Sequence, residues 1–330
     1  MYKNSSESKI YRFPASWEPK DAILLVWPDA EAISIADEIE ELYEALISVL
    51  VDYADIIIAT TAEQIEQIKN RLIRMEVCLD YVSFCESNHA SINIGEIGPF
   101  IVEEGNQFIA LATESNIFVP SLFEQKNLPC AELEKSKVHL SWKGVESDGQ
   151  DVLLINLSEI RKTNSQLFPA DIQEFFKIYS SQKNILVMND ELSSADLGLI
   201  RLSPDNQLLY LDCDNPSDSK YALFKQRSDS LNQLIEAHGN KLTLSGLPCE
   251  NFKGEDGLEY LADYSQFIVI NEAVLVPMYE LPTDEDAMDI ISQAYAGFDI
   301  FGFPSRILSP LKTGLFTITQ TIPEGVQEPL

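Results

Sequence analysis

The 330-residue sequence is poor in basic residues and in histidine. It has 23 lysines and arginines against 53 aspartates and glutamates, a formal net charge of −30, and three histidines. A chain this acidic repels nucleic acid and anionic membrane surfaces at long range. The charge therefore argues against nucleic-acid and membrane partners and would favour a cationic ligand or a basic partner. Charge at this level is not specific, however, and solubility or a saline habitat is the preferred explanation.

Long apolar runs, a signal segment and a cysteine framework are also missing. No apolar stretch approaches the ~20 residues of a membrane span, and the first eight residues are polar. The five cysteines are odd in number and irregularly spaced, which indicates reduced thiols and neither disulfides nor a metal site. No Gly-rich loop links a strand to a helix, as a nucleotide phosphate would need. We therefore expect a cytoplasmic protein with no cofactor and no metal.

Short apolar runs alternate with amphipathic stretches along the chain. Runs at residues 22–27 and 55–59 predict buried strands, and helical spacing of apolar residues predicts a helix from about 35 to 50. Ser34, Thr61 and Thr283 are expected to begin helices as caps. Further strands are expected at 108–111, 152–155, 185–188, 208–211, 242–244, 267–270, 273–277 and 300–301, with helices at 170–180, 217–238 and 283–295. The period of very roughly sixty residues favours an α/β array of repeated units over a doubly wound sheet.

Three stretches of the chain carry recognisable motifs. They are Phe-Pro-Ala-Ser-Trp-Glu-Pro at residues 13–19 with Trp-Pro at 27–28, Gly-Val-Glu-Ser-Asp-Gly at 144–149, and the segment 264–279, which ends in Val-Leu-Val-Pro-Met-Tyr. In this order they resemble the agmatine deiminase and bacterial (Porphyromonas-type) peptidylarginine deiminase family of the pentein superfamily. The resemblance implies an α/β pentein fold, a five-bladed propeller of ββαβ units around a pseudo-fivefold axis. Residues 1–330 would form one domain with a polar extension at 1–12.

The resemblance also implies where the active site lies. In active relatives a carboxylate pair binds the guanidinium in the central channel, a histidine transfers protons and a cysteine thiolate attacks the guanidinium carbon. Aligned on the family motifs, this chain has Ser91 at one aspartate position, Gly95 at an arginine, Ser194 at the histidine and Phe316 at the cysteine, while Asp196 keeps the second carboxylate. We therefore expect a degenerate member with no catalytic residue, a pseudoenzyme and not an enzyme.

A pseudoenzyme would act by binding a ligand or a partner. The possible ligand contacts are Asp196, Glu96, Asp148 and Trp142, and the ligand would be a cation such as agmatine, arginine or a polyamine-like amine. Phe316 would either fill the channel or leave it open. The resemblance implies a homo-oligomer, or a hetero-assembly with an active deiminase paralogue.

The alternative is an enzyme with altered, non-cysteine chemistry in the same channel. Ser91 and Ser194 would work there with the carboxylates Glu96 and Asp196 as an acid/base pair. Residual guanidine deiminase or hydrolase activity, linked to agmatine and putrescine metabolism, belongs to the same alternative. Assays with guanidines distinguish it from a protein that only binds.

Overall fold

Short strands and helices alternate through the part of the chain that the computed structural model describes, residues 9–29, 35–88, 91–114, 116, 118–189, 197–239 and 242–327. The helices are α1 (Ala36–Leu50), α2 (Ile65–Arg74), α3 (Ile94–Ile97), α4 (Val119–Glu124), α5 (Leu157–Thr163), α6 (Pro169–Tyr179), α7 (Tyr221–His238), α8 (Thr283–Ala294) and α9 (Leu315–Ile318). Short 3-10 helices lie at Leu79–Tyr81, Tyr264–Gln266 and Arg306–Leu311.

The strands are short and follow one another at the spacing that the sequence predicts. They are β1 (Lys20–Val26), β2 (Asp55–Thr60), β3 (Val82–Glu86), β4 (Phe100–Glu104), β5 (Gln107–Ala112), β6 (Ala131–Lys135), β7 (Val145–Ser147), β8 (Val152–Asn156), β9 (Asn184–Met188), β10 (Arg201–Leu202), β11 (Gln207–Asp212), β12 (Thr243–Pro248), β13 (Asn251–Lys253), β14 (Glu259–Leu261), β15 (Ile268–Ile270), β16 (Ala273–Met278), β17 (Asp299–Pro304) and β18 (Gln320–Pro323).

Five sheets in the described ranges share one design. In four of them, ordered β4-β5-β6, β7-β8-β9, β10-β11-β12 and β15-β16-β17, an antiparallel pair is followed by a parallel third strand. A parallel neighbour needs a crossover connection, and a helix supplies it in each unit. The predicted array of repeated α/β units is therefore confirmed.

The first sheet joins the two ends of the described chain. Its order is β18-β1-β2-β3, and β18 pairs antiparallel with β1, with Ala22 opposite Ile322 and Leu24 opposite Gln320. The C-terminal strand thus takes the place that the first strand of each other unit occupies. This pairing completes a fifth unit of the same kind.

Strand β1 is buried on both faces, which explains its continuous apolar run. Ile23 and Leu25 pack in a core cluster with α1, whereas Leu24 and Val26 pack with α3 and α4 on the other face. A strand covered on both sides has no polar-out alternation. The run at residues 22–27 is therefore a correct prediction of a fully buried strand.

The predicted helix caps are wrong where the structure describes them. The Thr61 hydroxyl donates to the side chain of Gln64, and α2 begins at Ile65 without a side-chain cap. The Thr283 hydroxyl donates to Glu250, 33 residues earlier in the chain. Both hydroxyls are engaged by other side chains, so neither is available to the helix amides. Ser34 lies outside the described residues.

None of the helices in the described ranges is long and apolar enough to span a membrane. The five cysteines, which all lie in those ranges, form no disulfide with one another.

Candidate active site at the centre of the five units

A cavity lies where the five units meet. It has about 50 Å³ of space accessible to water. Each unit contributes to its wall: Lys20 of β1 and Gln320 of β18, Gly95 of α3 just ahead of β4, Glu146 of β7, Arg201 of β10 and Val269 of β15. Trp142, Phe316 and the loop residues Pro14, Ala15 and Ser16 complete it. The cavity therefore occupies the pseudo-symmetry axis, where the resemblance places the site.

A buried ion pair crosses one wall of the cavity. Arg201 is 1% exposed and Glu146 5%, and the Arg201 Nε donates to Glu146 Oε1. The Arg201 Nη1 donates to the carbonyls of Ser265 (3.2 Å) and Phe267 (2.7 Å). Burial raises the pKa of Glu146, and the charge of Arg201 opposes this rise. The pair links β7, β10 and the segment ahead of β15, which belong to three different units.

Phe316 stacks on this arginine. Its ring centroid lies 4.2 Å from the Arg201 guanidinium carbon, and the Phe267 ring lies 4.3 Å from it. Such contacts stabilise a desolvated guanidinium through the negative face of the ring. Phe316 thus covers Arg201 and narrows the channel, but open space remains beside it.

Trp142 forms another wall. Its ring stacks on Phe100 with centroids 4.0 Å apart and an interplanar angle of 17°. Its buried Nε1, the Nη2 of Arg201 and the Ser16 hydroxyl all belong to residues that line the cavity, and none of the three has a hydrogen-bond partner among the described residues. All three atoms are shielded from water.

Lys20 is the second cation that lines the cavity. It is 7% exposed, and its Nζ donates to the carbonyls of Ala15 (3.1 Å) and Glu18 (2.7 Å). Desolvation by burial lowers the pKa of Lys20 to about 8, against the opposing charge of Glu18. The pairing of β1 with β18 shifts register between Lys20 and Ala22, and such irregularities re-aim side chains at functional sites.

Two predicted site residues lie away from the cavity wall, and one lies at its rim. The Asp148 carboxylate accepts the backbone N–H groups of residues 150, 151 and 152 and so closes a turn. The Ser91 hydroxyl accepts from the amide of Asn93 at 3.3 Å. Glu96, next to the cavity residue Gly95, accepts from Lys143 Nζ at 2.7 Å and is 40% exposed. Ser194 and Asp196 lie outside the described residues.

Gly95 lets two short helices approach each other. A Cβ at this position would lie 3.1 Å from the carbonyl oxygen of Phe316 and 3.2 Å from that of Thr317. Any side chain here would require those two carbonyls to shift by a few tenths of an ångström. The arginine that the resemblance places at this position would therefore require α9 to move.

Three charged cavity residues escaped the sequence prediction: Lys20, Glu146 and Arg201. Arg201 stands alone among the apolar residues 199–202, and an isolated charge in an apolar run is a signal for a buried ion pair. Glu146 lies inside the motif at 144–149. Lys20 directly precedes a buried strand, and nothing local indicates that it is buried too.

The charged groups on the cavity wall are one amine, one guanidinium and one carboxylate. Lys20 and Arg201 carry positive charge, and the Glu146 carboxylate that lines the wall is bonded to Arg201. Within the described ranges no cluster of three histidine, cysteine or acidic side chains is placed to hold a metal ion. An amine with a pKa near 8 can exchange protons at neutral pH, so Lys20 is the candidate acid/base group.

Known proteins resemble this chain along nearly its whole length. A curated protein of Vibrio parahaemolyticus named as an agmatine deiminase is 23% identical over 95% of this chain and 97% of its own length. The solved agmatine deiminase of C. jejuni with substrate bound superposes with a TM-score of 0.83 at 18% identity, covering 98% of this chain and 99% of that one. The agmatine deiminase of Enterococcus faecalis gives 0.82 at 16% identity, covering 97% and 99%. The predicted pentein fold is confirmed.

These comparisons contradict the prediction that the chain is not an enzyme. The relatives and structural neighbours are named as agmatine deiminases, which are enzymes. The prediction inferred the loss of turnover from residue types at Ser91, Ser194 and Phe316, but a missing thiolate removes one covalent route and not every route. The model of the Porphyromonas-type peptidyl-arginine deiminase family matches residues 12–323. This chain belongs to that family.

Proposed function

We propose that the chain is an enzyme that hydrolyses a carbon–nitrogen bond of a small guanidine in the central cavity, without a cysteine nucleophile. Family membership and the names of the relatives support the reaction class. The observation that carries the proposal is Lys20, a buried amine on the cavity wall whose pKa is lowered to about 8. A general base works best when its pKa lies near the operating pH.

The proposed reaction consumes one water and releases ammonia. Neutral Lys20 accepts a proton from the water as its oxygen bonds to the guanidine carbon. The protonated Lys20 returns this proton to one nitrogen of the tetrahedral carbon, and the bond from that nitrogen to carbon breaks. Lys20 then accepts the second proton, from the hydroxyl that becomes the carbonyl, and passes it to the released ammonia. A guanidinium cation and one water thus give a ureido compound and ammonium, so atoms and charge balance. Because the guanidine carbon is a weak electrophile, this direct route should be slower than one through a thiolate.

The placement of the cysteines supports a non-cysteine route. None of the five, all within the described residues, lines the cavity. Burial raises the pKa of Cys85 to about 12 and also raises that of Cys249. A protonated thiol is a poor nucleophile. The cavity therefore has no cysteine that could act as the nucleophile used by active relatives.

The cationic end of the substrate is assigned to the predicted carboxylates. Asp196 keeps the second carboxylate position of the family motif, and Glu96 lies next to Gly95 on the cavity wall. An agmatine-, arginine- or polyamine-like cation would be attracted by these groups and by the net charge of −30. Assembly with a second copy or with a deiminase paralogue stays a prediction.

Turnover of guanidines tests the proposal. Purified protein is incubated with agmatine, arginine and guanidinoacetate, and ammonia and ureido product are measured together. We expect equal amounts of both from at least one substrate, loss of turnover in Lys20→Met, and unchanged turnover in the matched control Cys249→Ser. No ammonia from any of the three, or full activity in Lys20→Met, would overturn it.

A further inference from the structure

Two cysteines lie side by side at the ends of neighbouring strands. Cys213 directly follows β11, and Cys249 directly follows β12. The two strands pair in parallel, and their last registered pair is Asp212 with Pro248. The next residue on each chain is a cysteine, so the register of the sheet places Cys213 opposite Cys249.

The two thiols also share one face of this sheet. Side chains alternate between the two faces of a strand, so residues two apart lie on the same face. Leu211 and Leu247 precede the cysteines by two residues, and both belong to the core cluster that contains Cys213 and packs against Cys249. The side chains of the two cysteines therefore point into the same space.

The spacing of the two chains suits a disulfide. Paired strands lie about 4.8 Å apart, and bridged cysteines have Cα atoms roughly 4.4–6.8 Å apart. Burial raises the pKa of Cys249, and the Cys213 thiol raises this pKa further through its charge and a hydrogen bond. The two thiols therefore already interact with each other.

The segments that follow the two cysteines are held together independently of any covalent link. Asn251 Nδ2 donates to Asp218 Oδ2 at 3.1 Å, which joins the segment after β12 to the one after β11. The Glu250 carboxylate accepts from the Thr283 hydroxyl at 2.7 Å, and its carbonyl accepts from the amide of Ala262 at 2.9 Å. A bond between the two sulfur atoms would therefore join segments that the fold already keeps adjacent.

The two thiols differ in their access to solvent. Cys249 is half-buried, whereas Cys213 is 4% exposed and donates to the carbonyl of Asn215 at 3.8 Å. A dissolved oxidant needs to reach only one thiol of a pair, because the second thiol reaches the first one inside the protein. The burial of Cys213 therefore does not prevent oxidation of the pair, and it shields Cys213 from forming an adduct by itself.

We propose that Cys213 and Cys249 are a redox-active dithiol, which a low-molecular-weight disulfide oxidises to a disulfide between the ends of β11 and β12. The Cys249 thiolate attacks one sulfur of the oxidant and forms a mixed disulfide. The other half of the oxidant leaves as a thiolate and takes up the proton that Cys249 lost. The Cys213 thiolate then attacks the Cys249 sulfur, and the second half leaves and takes up the proton of Cys213. Two protein thiols and one small disulfide thus give one protein disulfide and two small thiols.

This site is separate from the central cavity, which neither cysteine lines. The reduced thiols that the sequence indicates are the starting state of the reaction. Because the thiolate is the reacting form, the raised pKa of Cys249 makes the first step slow at neutral pH. The second step is intramolecular, so the linked product is favoured over the mixed disulfide.

Peptide mapping of the oxidised protein tests the pair. The native protein is incubated with glutathione disulfide at mildly alkaline pH, free thiols are blocked with iodoacetamide, and tryptic peptides are analysed by mass spectrometry without reduction. We expect peptide 202–220, which carries Cys213, to be linked to peptide 242–253, which carries Cys249, and the link to disappear after dithiothreitol. Blocked thiols at both positions, or glutathione on Cys249 without a link, would overturn the proposal when the exposed Cys130 carries glutathione in the same sample.

Single variants test the order of attack. Cys213→Ala should leave Cys249 as a mixed disulfide with glutathione, because no second thiol displaces it, whereas Cys249→Ser should leave Cys213 unmodified. Cys130→Ser changes an exposed cysteine and should leave the link intact. Glutathione on Cys213 in the Cys249→Ser variant would refute the assigned order. If Cys213→Ala does not fold, the map of the unaltered protein and that of Cys249→Ser still decide.

The link should also stabilise the fold. A disulfide between Cys213 and Cys249 restricts the unfolded chain, and for a closed loop of this length the melting temperature should rise by roughly 5 °C. The rise is measured against Cys249→Ser treated in the same way, which carries the same adducts at its exposed cysteines, and dithiothreitol should abolish it. An equal or lower melting temperature in the linked protein would mean that the link forms only by distorting the strands, and would contradict the assignment.

Discussion

Arg201 and Arg227 are buried to the same degree but in different surroundings. Arg201, 1% exposed, lines the central cavity and pairs with Glu146. Arg227, 2% exposed in α7, donates from Nη1 to the carbonyls of Leu197 and Gly198 and lines a second cavity. Both side chains hold segments of backbone together, and Arg201 does so with the Glu146 carboxylate bonded to it.

The difference lies in what each guanidinium holds. Carbonyl oxygens are fixed acceptors that belong to the fold, so the Nη1 donors of Arg227 clamp two backbone segments together. The Arg201 guanidinium is held by a carboxylate and two aromatic rings. Its removal therefore leaves a buried negative charge without the cation bonded to it.

The largest effect is expected from removal of each guanidinium in turn. Arg201→Met leaves the Glu146 carboxylate buried without its partner, and loss of one member of a buried pair costs about 3–5 kcal/mol of the free energy of unfolding. Arg227→Met leaves two carbonyls without a donor and removes a charge that opposes the rise in the pKa of the buried Asp263; we expect a cost of about 2–3 kcal/mol. Urea denaturation at pH 7 measures both. Equal costs, or a larger one for Arg227→Met, would contradict the distinction.

A second variant shows whether the stranded carboxylate causes the cost. The double variant Glu146→Gln with Arg201→Met removes both charges and should recover part of the stability lost in Arg201→Met alone. The cost of Arg201→Met should also shrink as pH falls, because the unpaired Glu146 can then take up a proton. If the stability costs of the two single variants simply add in the double variant, the cost of Arg201→Met comes from lost packing and not from the unpaired charge.

Lys20 extends the comparison to the other cation of the cavity. Its pKa is about 8 when folded against 10.5 for the ordinary side chain, so between these values the unfolded chain binds more protons. Stability should therefore rise with pH from about 8 to 10.5 and be lost again on return to lower pH, by about 3 kcal/mol in all. Lys20→Met should lack this rise.

The control for Lys20 is an exposed lysine. Lys225 pairs with Asp229 on the surface of α7, and both side chains are more than half exposed. Lys225→Met should leave the slope of unfolding free energy against pH unchanged between pH 8 and 10.5. If both variants reduce the slope equally, the amine of Lys20 titrates like a surface group and its burial has no electrostatic consequence.

The sequence predicts the strands and helices of each unit better than it predicts the residues that line the cavity between the units. Strands such as β1 and β2 are correctly predicted because a buried apolar run is a local pattern, and the recurrence of strand and helix indicates repeated units. The burial of Lys20 depends on the pairing of β1 with β18, about 300 residues along the chain. No local pattern encodes that contact, so the residue escaped prediction.

The family motifs predict the place of the site more reliably than its residues. Phe316, Trp142 and the position next to Glu96 do lie at the cavity wall. Asp148, chosen from the same motif as Glu146, closes a turn instead. Glu146 lies on β7, and Asp148 lies in the turn that follows. Residue type alone does not show which of the two carboxylates points into the cavity, because this depends on how β7 lies in its sheet.

Truncation of Phe316 tests whether its ring stabilises Arg201 or only fills space. Phe316→Ala removes the ring and the contact with the guanidinium, and should cost about 2–3 kcal/mol of unfolding free energy. Phe316→Leu restores most of the volume but no aromatic face, and should cost about 1–2 kcal/mol. Urea denaturation distinguishes the two. If the leucine variant is as stable as the unaltered protein, packing alone explains the position.

The smallest effect is expected at Gly95, where the site and the fold compete for the same space. Alanine would normally stabilise a helical position relative to glycine by about 0.5–1 kcal/mol, but here its Cβ would lie 3.1 and 3.2 Å from the carbonyl oxygens of Phe316 and Thr317. Those oxygens belong to backbone and cannot rotate away, so α9 must shift by a few tenths of an ångström together with Phe316. We expect Gly95→Ala to lower the unfolding free energy, measured by urea denaturation, by about 1 kcal/mol. A more stable variant would mean that α3 and α9 adjust freely, and that the contact between Phe316 and Arg201 is not fixed by the packing around it.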